Sequence, residues 1–207
     1  MTRQPQSDNQ QAQVQHFTLP GAELALWPRW LSAAESEQAL TVLQQQLPWS
    51  QDSIMMFGKR VLIPRHQVWM GEPHCEYRYS GTTFKPCAWH PLVRELTEQV
   101  SEFLNRQFNC VLLNAYDDGR HHMGWHADNE PELGHDPAIA SLSLGAARRF
   151  DLKHRHHACQ MSVELTSGSL LLMAEGLQRH WLHRLPKQSQ VKHCRINLTF
   201  RYIGRAY

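Results

Sequence analysis

Apolar positions recur at helical spacing in two segments of the chain and alternate with polar ones through most of the remainder. In LSAAESEQALTVLQQQL (31–47), Leu31, Ala34, Ala39, Leu40, Leu43 and Leu47 fall near one face. Ser32, with Glu35 three residues on, has the spacing of a capping box, so a helix is predicted here. In HPLVRELTEQVSEFLNRQF (90–108), Leu92, Leu96, Val100, Phe103 and Leu104 form an apolar stripe, and Pro91 stands where a first helical turn tolerates it. The stretch between them, PWSQDSIMMFGKRVLIPRHQVWMG, alternates and is punctuated by Gly and Pro, which predicts hairpins.

After residue 108 the pattern turns to strands: FNCVLLNAY (108–116), AIASLSLGAARRFDLKHR (138–155), CQMSVEL (159–165), GSLLLMA (168–174), WLHRLPK (181–187) and RINLTFRYI (195–203). Six or more short strands with two helices outside them predict an α+β, mainly β chain with a sandwich or barrel-like core. Residues 1–16 are polar and low in apolar content, so they are expected to form a disordered tail. Residues 17–207 are expected to form one domain, with helices and hairpins in 17–107 and the strand core in 108–207.

Composition narrows the partners. A length of 207 residues suits one domain, and a formal net charge of only +2 excludes a bulk polycation, so nucleic acid would have to meet a local patch. No apolar run approaches a membrane span and the first residues lack the apolar core of a secretory signal, so no membrane partner is expected. The five cysteines, Cys75, Cys87, Cys110, Cys159 and Cys194, are widely spaced with no CxxC. That argues against a disulfide framework or zinc knuckle and for a reducing, cytoplasmic setting. Nothing in the pattern asks for an obligate oligomer, and a monomer is expected.

The candidate chemistry starts at HHMGWHADNE (121–130). His126 and Asp128 stand at i and i+2, so on an extended segment both point the same way. Downstream, QRHWLHRLP offers His180 and His183. Two imidazoles and a carboxylate on one side of an ion form the facial arrangement of non-haem Fe(II) oxygenases, which leaves positions open for cosubstrate and oxygen. In RINLTFR (195–201), alternation sends Ile196, Leu198 and Phe200 one way and Arg195, Asn197, Thr199 and Arg201 the other. A half-exposed strand with its polar face in water has the same pattern. As a pocket wall, the two arginines, roughly 20 Å apart along the strand, would grip the ends of a short dicarboxylate through their planar forks.

The order NAY (114–116), HAD (126–128), a later His and RINLTFR resembles the AlkB family of Fe(II)/2-oxoglutarate-dependent dioxygenases, especially its members that repair alkylated DNA. The likeness runs from about Phe57 to Arg201 and takes in FGK (57–59), PRHQ (64–67), YRYSG (77–81), PAIASLSLGAARRF (137–150) and NLTFR (197–201). The resemblance implies a double-stranded β-helix, or jelly roll, under a nucleotide-recognition lid in the N-terminal half. It implies iron ligands His126, Asp128 and His183. His183 is preferred to His180 because HRLP is like the segment that follows the family's distal ligand; His121 and His122 are then expected to face solvent. It implies that Asn114, Tyr116, Arg195, Asn197, Thr199 and Arg201 hold 2-oxoglutarate, with O2 as the other cosubstrate.

The reaction implied is hydroxylation of an N-methyl group on a damaged base, coupled to decarboxylation of 2-oxoglutarate to succinate and CO2, with loss of formaldehyde. The base must leave the stack to be reached. Tyr77, Tyr79 and Ser80 match the family's base-binding segment, and Asn129 and Glu130 follow the ligand pair, where a carboxylate suits cationic 1-methyladenine or 3-methylcytosine. Phe57 and Gly58 match a wedge that fills the gap left by flipping, with Lys59, Arg60 and Arg65 expected on phosphates. Ala127 stands where relatives acting on double strands carry a basic residue, which leaves strand preference open. The partner implied is DNA with alkylated bases, with RNA as an alternative, in the nucleoid of a bacterium or the nucleus of a eukaryote. Rival readings are a 2-oxoglutarate oxygenase acting on RNA, protein or a small molecule, and a non-catalytic nucleic-acid-binding module.

Overall fold

The computed structural model describes residues 14–56, 59–79 and 82–204. In chain order the elements are β1 (Gln15–Leu19), β2 (Ala22–Trp27), α1 (Ala33–Gln46), β3 (Ser53–Met56), β4 (Lys59–Leu62), β5 (His66–Gly71), β6 (Tyr77–Tyr79), β7 (Thr82–Phe84), α2 (Pro91–Leu104), β8 (Cys110–Tyr116), β9 (Met123–His126), β10 (Ile139–Gly145), β11 (Arg148–His154), β12 (Gln160–Leu165), β13 (Leu170–Met173), α3 (Leu177–His180), β14 (Trp181–Leu185) and β15 (Arg195–Arg201). A 3-10 turn at Pro131–Leu133 follows β9.

A seven-stranded sheet runs β1-β2-β13-β10-β15-β8-β5 and a four-stranded sheet runs β12-β11-β14-β9, while β3-β4 and β6-β7 are separate hairpins. One core cluster joins Leu24, Leu171 and Met173 of the larger sheet to Phe150, Leu152, Val163 and Leu185 of the smaller, so the two sheets pack face to face. A second cluster lies on the other side of the larger sheet. There Leu113, Leu142, Leu198 and Phe200 meet Leu43 of α1 and Val93, Leu96 and Val100 of α2. The result is the expected mainly β jelly roll, with helices layered on one face of the larger sheet. Among the described residues no helix is long and apolar enough to cross a membrane.

The strand β15 lies between β10 and β8, paired antiparallel to both, and all seven of its residues are buried. Its alternation is therefore used on both faces. Ile196, Leu198 and Phe200 enter the helix-side core, and the four polar residues enter the space between the sheets. Each apolar side chain buried this way contributes about 1.5–3 kcal/mol, which anchors the strand firmly enough to hold a polar row on its other face.

Helix α1 begins as its sequence predicts. Ser32 Oγ accepts from Glu35 N at 3.3 Å while Ser32 N donates to Glu35 Oε2 at 2.8 Å. Helix α2 starts at Pro91 and stops at Asn105, which takes the left-handed conformation at φ 49°. Its buried face is Val93, Leu96, Thr97 and Val100. Phe103, expected in the stripe, is 39% exposed and packs edge-on against Trp27 at 5.3 Å.

Three sequence boundaries move. Gln15 and His16 already pair with Leu26 and Ala25, so the expected tail reaches too far, and residues 1–13 lie outside the described residues. Segment 17–107 is more than helices and hairpins, because β1, β2 and β5 belong to the larger sheet. AELALW and HQVWMG hide this, being mostly buried and so running apolar instead of alternating. The run 138–155 is two strands in different sheets. It turns at Gly145, whose φ of +85° suits glycine and where a Cβ would come within 2.4 Å of the Cys194 carbonyl oxygen.

Candidate active site

The edge strand β9 pairs with β14 so that His126 stands directly opposite His183. Asp128 follows two residues on, and one ligand atom from each of the three lies within 4.8 Å of the others. The two imidazoles meet edge-on with centroids 4.3 Å apart. Nδ1 of His126 lies 2.9 Å from the Gly124 carbonyl. A carbonyl only accepts, so Nδ1 carries the proton and Nε2 is left as a lone-pair donor. Burial, reinforced by His126, pushes the His183 pKa down to about 3, which keeps that ring neutral. Phe150 lies along it, with ring centroids 5.2 Å apart.

Asp128 is the charged member. Burial alone would raise its pKa, but Arg201, His183 and His126 outweigh burial and the net shift is downward, so the carboxylate is ionised. Its two oxygens divide their partners. Oδ1 accepts from Arg201 Nη2 at 2.6 Å, and Oδ2 faces His183 Nε2 at 3.8 Å. Its backbone N–H donates to Gln178 Oε1 at 2.9 Å, which fixes the loop. Two imidazoles and one carboxylate suit a divalent transition metal and leave the remaining positions open. Among the described residues no second such group exists. His180, the alternative ligand, instead stacks on His154 with centroids 6.1 Å apart.

A cavity of about 110 Å³ lies beside this triad and is bounded by both sheets. On its far wall Arg195 Nη2 donates to Ser143 Oγ at 2.9 Å and Asn197 Oδ1 at 2.8 Å. Asn197 Nδ2 donates to Thr199 Oγ1 at 2.8 Å, and Ser141 Oγ donates to Asn197 Oδ1 at 2.9 Å. The Arg195 guanidinium lies 5.5 Å from the Tyr116 ring centroid. Burial pushes its pKa down to about 10. Its Nε is buried with no hydrogen-bond partner among the described residues, and the acceptors it has there are neutral. A buried cation satisfied only by neutral groups calls for an anion, and an oxyacid entering here would meet it. Arg201 differs: it already neutralises Asp128 and lies 5.9 Å from the Trp69 ring centroid.

Other expected residues divide. Glu130 lines the cavity with Oε2 buried and unpartnered among the described residues; burial pushes its pKa up despite the pull of Arg201. Arg65 is not on the surface among phosphates. It is buried at 7% exposure, lines the cavity, and donates from Nε to Asn114 Oδ1 at 2.9 Å, because the turn before β5 folds it inward. Asn129 is exposed and lines a separate surface hollow with Arg155 and Arg179, so it is not brought to the cavity. His121 and His122 are half-buried, not solvent-facing. Lys59 lies in β4, and Tyr77 and Tyr79 lie in β6. Phe57, Gly58 and Ser80 lie outside the described residues.

Sequence reasoning missed Ser141, Ser143, Phe150 and Arg148. The serines had a signal. In IASLSLG they occupy alternate positions, and the register sets them opposite Thr199 and Asn197.

Comparison with known proteins gives the same picture. Residues 23–201 match the 2OG-Fe(II) oxygenase superfamily. The chain is similar to the Homo sapiens alpha-ketoglutarate-dependent dioxygenase alkB homolog 3, with 33% identity over 192 residues, 88% of this chain and 66% of that protein. It is similar to the DNA oxidative demethylase ALKBH2 of Bos taurus, at 35% identity over 82% of this chain and 65% of that one. The Mus musculus ALKBH2 is 35% identical, over 82% of this chain and 76% of its own length. The chain thus spans just under two thirds of the human and cattle proteins. Among solved structures it is similar in fold to OsALKBH1, with a TM-score of 0.61, 18% identity, and coverage of 91% of this chain and 99% of that one.

Proposed function

The chain belongs to the AlkB family within the 2OG-Fe(II) oxygenase superfamily, and on that premise we propose that it repairs DNA by oxidative demethylation of 1-methyladenine and 3-methylcytosine. The family uses Fe(II), 2-oxoglutarate and O2. Bound iron supplies oxygen activation, coupled to decarboxylation of 2-oxoglutarate to succinate and CO2, and the hydroxylated methyl group leaves as formaldehyde.

The observation that carries the reading is the pairing of the His126–Asp128–His183 cluster with a buried, anion-demanding Arg195 across one small cavity. In this reading the three ligands hold the iron. Gly124 orients His126, and Arg201 keeps Asp128 ionised. Asn114, Tyr116, Asn197 and Thr199 complete the wall that receives 2-oxoglutarate. Leu112, Met123, Phe150 and Leu185 line the same cavity with apolar surface, which limits water beside the reacting methyl group. Glu130 suits a cationic lesion. A flipped, positively charged base would give Oε2 of this buried carboxyl the partner it has not found among the described residues, and an uncharged base would gain less from it. Tyr77 and Tyr79, from β6, are the proposed stacking residues, and Phe57 and Gly58 the proposed wedge.

The test is a mass-spectrometric assay. Purified protein is mixed with Fe(II), ascorbate, 2-oxoglutarate and single- or double-stranded oligonucleotides carrying either lesion, with His183→Ala and His180→Ala as controls. Demethylation with succinate, lost in His183→Ala and kept in His180→Ala, is the expected result. Succinate formation without demethylation would redirect the search to RNA, protein or small molecules. Neither product from iron-loaded protein would leave a binding module.

A further inference from the structure

Arg148 opens β11 at a core position, 1% exposed, on the same face as Phe150 and Leu152. Among the described residues its guanidinium makes four hydrogen bonds and none goes to a carboxylate. Nε donates to Gln188 Oε1 at 3.2 Å, Nη1 to the Asp118 carbonyl at 3.3 Å, and Nη2 to the carbonyls of His121 at 2.9 Å and Pro186 at 2.7 Å. These acceptors lie in two loops. One, 117–122, connects the strand bearing Asn114 and Tyr116 to the strand bearing His126. The other, 186–194, connects the strand bearing His183 to the strand that begins at Arg195. The loops also join directly: Gly119 N donates to the Val191 carbonyl at 2.9 Å and Gln188 N to the Gly119 carbonyl at 2.8 Å. The same guanidinium lies 5.9 Å from the Tyr116 ring centroid, and Arg195 lies 5.5 Å from it. Tyr116 thus contacts two arginines.

Burying a guanidinium without a counter-ion is costly, and apolar residues fill such positions at less cost when only packing is needed. What an apolar residue could not do is bind two loops and an aromatic ring at once. We infer that Arg148 is a positioning residue for the cosubstrate end of the pocket: by pinning both connecting loops and the Tyr116 ring, it sets where Arg195 stands relative to the metal triad. The inference rests on the 2-oxoglutarate reading of that pocket.

The test compares wild-type, Arg148→Lys and Arg148→Met proteins loaded with Mn(II). 2-Oxoglutarate binding is measured by calorimetry, and Mn(II) binding by electron paramagnetic resonance. The Kd for 2-oxoglutarate should rise about tenfold in both variants, because lysine keeps the charge but not the fork. Mn(II) affinity should not change, since neither loop carries a metal ligand. A purely structural role would lower both affinities together or neither. The inference is overturned if a folded variant binds 2-oxoglutarate within about twofold of wild type, if lysine restores binding fully, or if Mn(II) affinity falls in step. Should both core variants fail to fold, Gln188→Ala, at a half-buried position, removes the acceptor of Arg148 Nε together with that of Arg149 N. It should weaken 2-oxoglutarate alone, and an unchanged Kd there overturns the inference too. Wild-type protein that binds Mn(II) but no 2-oxoglutarate would overturn the reading of the pocket itself, a result separable from any behaviour of the variants.

Discussion

Replacing Asp128 by alanine in the metal-free protein removes the carboxylate that accepts from Arg201 Nη2 at 2.6 Å, with both residues at 4% exposure. Breaking a buried ion pair from one side costs about 3–5 kcal/mol, because a charge is left without its partner. Two features place this case near the lower bound. The cavity admits some water, and Glu130 feels the field of Arg201 and can take up part of the lost role. A loss of about 3 kcal/mol in a domain of this size lowers Tm by roughly 6–12 °C. The pH dependence has a definite sign. The folded pKa of Asp128 is lowered, so its contribution is full above the unfolded value of about 3.9 and fades as pH falls through the still lower folded value. The gap between wild type and variant should therefore be flat between about pH 5 and 8 and close below about pH 4. Thermal melts in chelator of wild type, Asp128→Ala, Arg201→Met and the double variant form the measurement. Coupling of about 1 kcal/mol or more between the two sites is expected. Additive losses, or a gap that widens in acid, would refute the reasoning.

The Glu130→Gln variant should melt higher than wild type near pH 7 in ligand-free protein. Burial raises the folded pKa of Glu130, so its charge opposes folding once pH rises through that value and is harmless below the unfolded one. A gain in Tm that persists at about pH 3.5, where the acid is protonated in both states, would contradict this. A Gly119→Ala variant should lose about 2 kcal/mol or more, because a Cβ there would stand 1.7 Å from the Gln188 carbonyl oxygen and force the two loops apart; an unchanged denaturant midpoint would show that the loops separate freely.

What the sequence revealed depended on whether a residue's partner was local. The capping box of Ser32 and Glu35 needs only three residues of chain, and it forms as written. The strand RINLTFR announced both its faces through its own alternation, and His126 and Asp128 were legible from a two-residue step. The sheet membership of AELALW and HQVWMG was not legible, since strands buried on both faces lose the alternation that identifies them. Arg65 read as a phosphate-facing cation and Arg148 was passed over, because nothing local distinguishes either as buried. Their burial follows from acceptors 49 residues away for Arg65, and 27 to 40 away for Arg148. The division of labour between Arg195 and Arg201 was likewise hidden, because it depends on Asp128 lying 73 residues from Arg201.

The central place of β15 has a consequence for how the molecule assembles. The strand follows every other described strand in sequence, yet it fills the gap between β10 and β8. During synthesis, therefore, two long apolar edges stand open until the closing strand arrives, and such edges are what other chains pair with. The closing strand also delivers Arg195 and Arg201, so a nascent chain has no anion-binding wall before the sheet is sealed. Protection from misassembly and acquisition of the pocket are one event, and a slow or faulty insertion of seven residues would forfeit both.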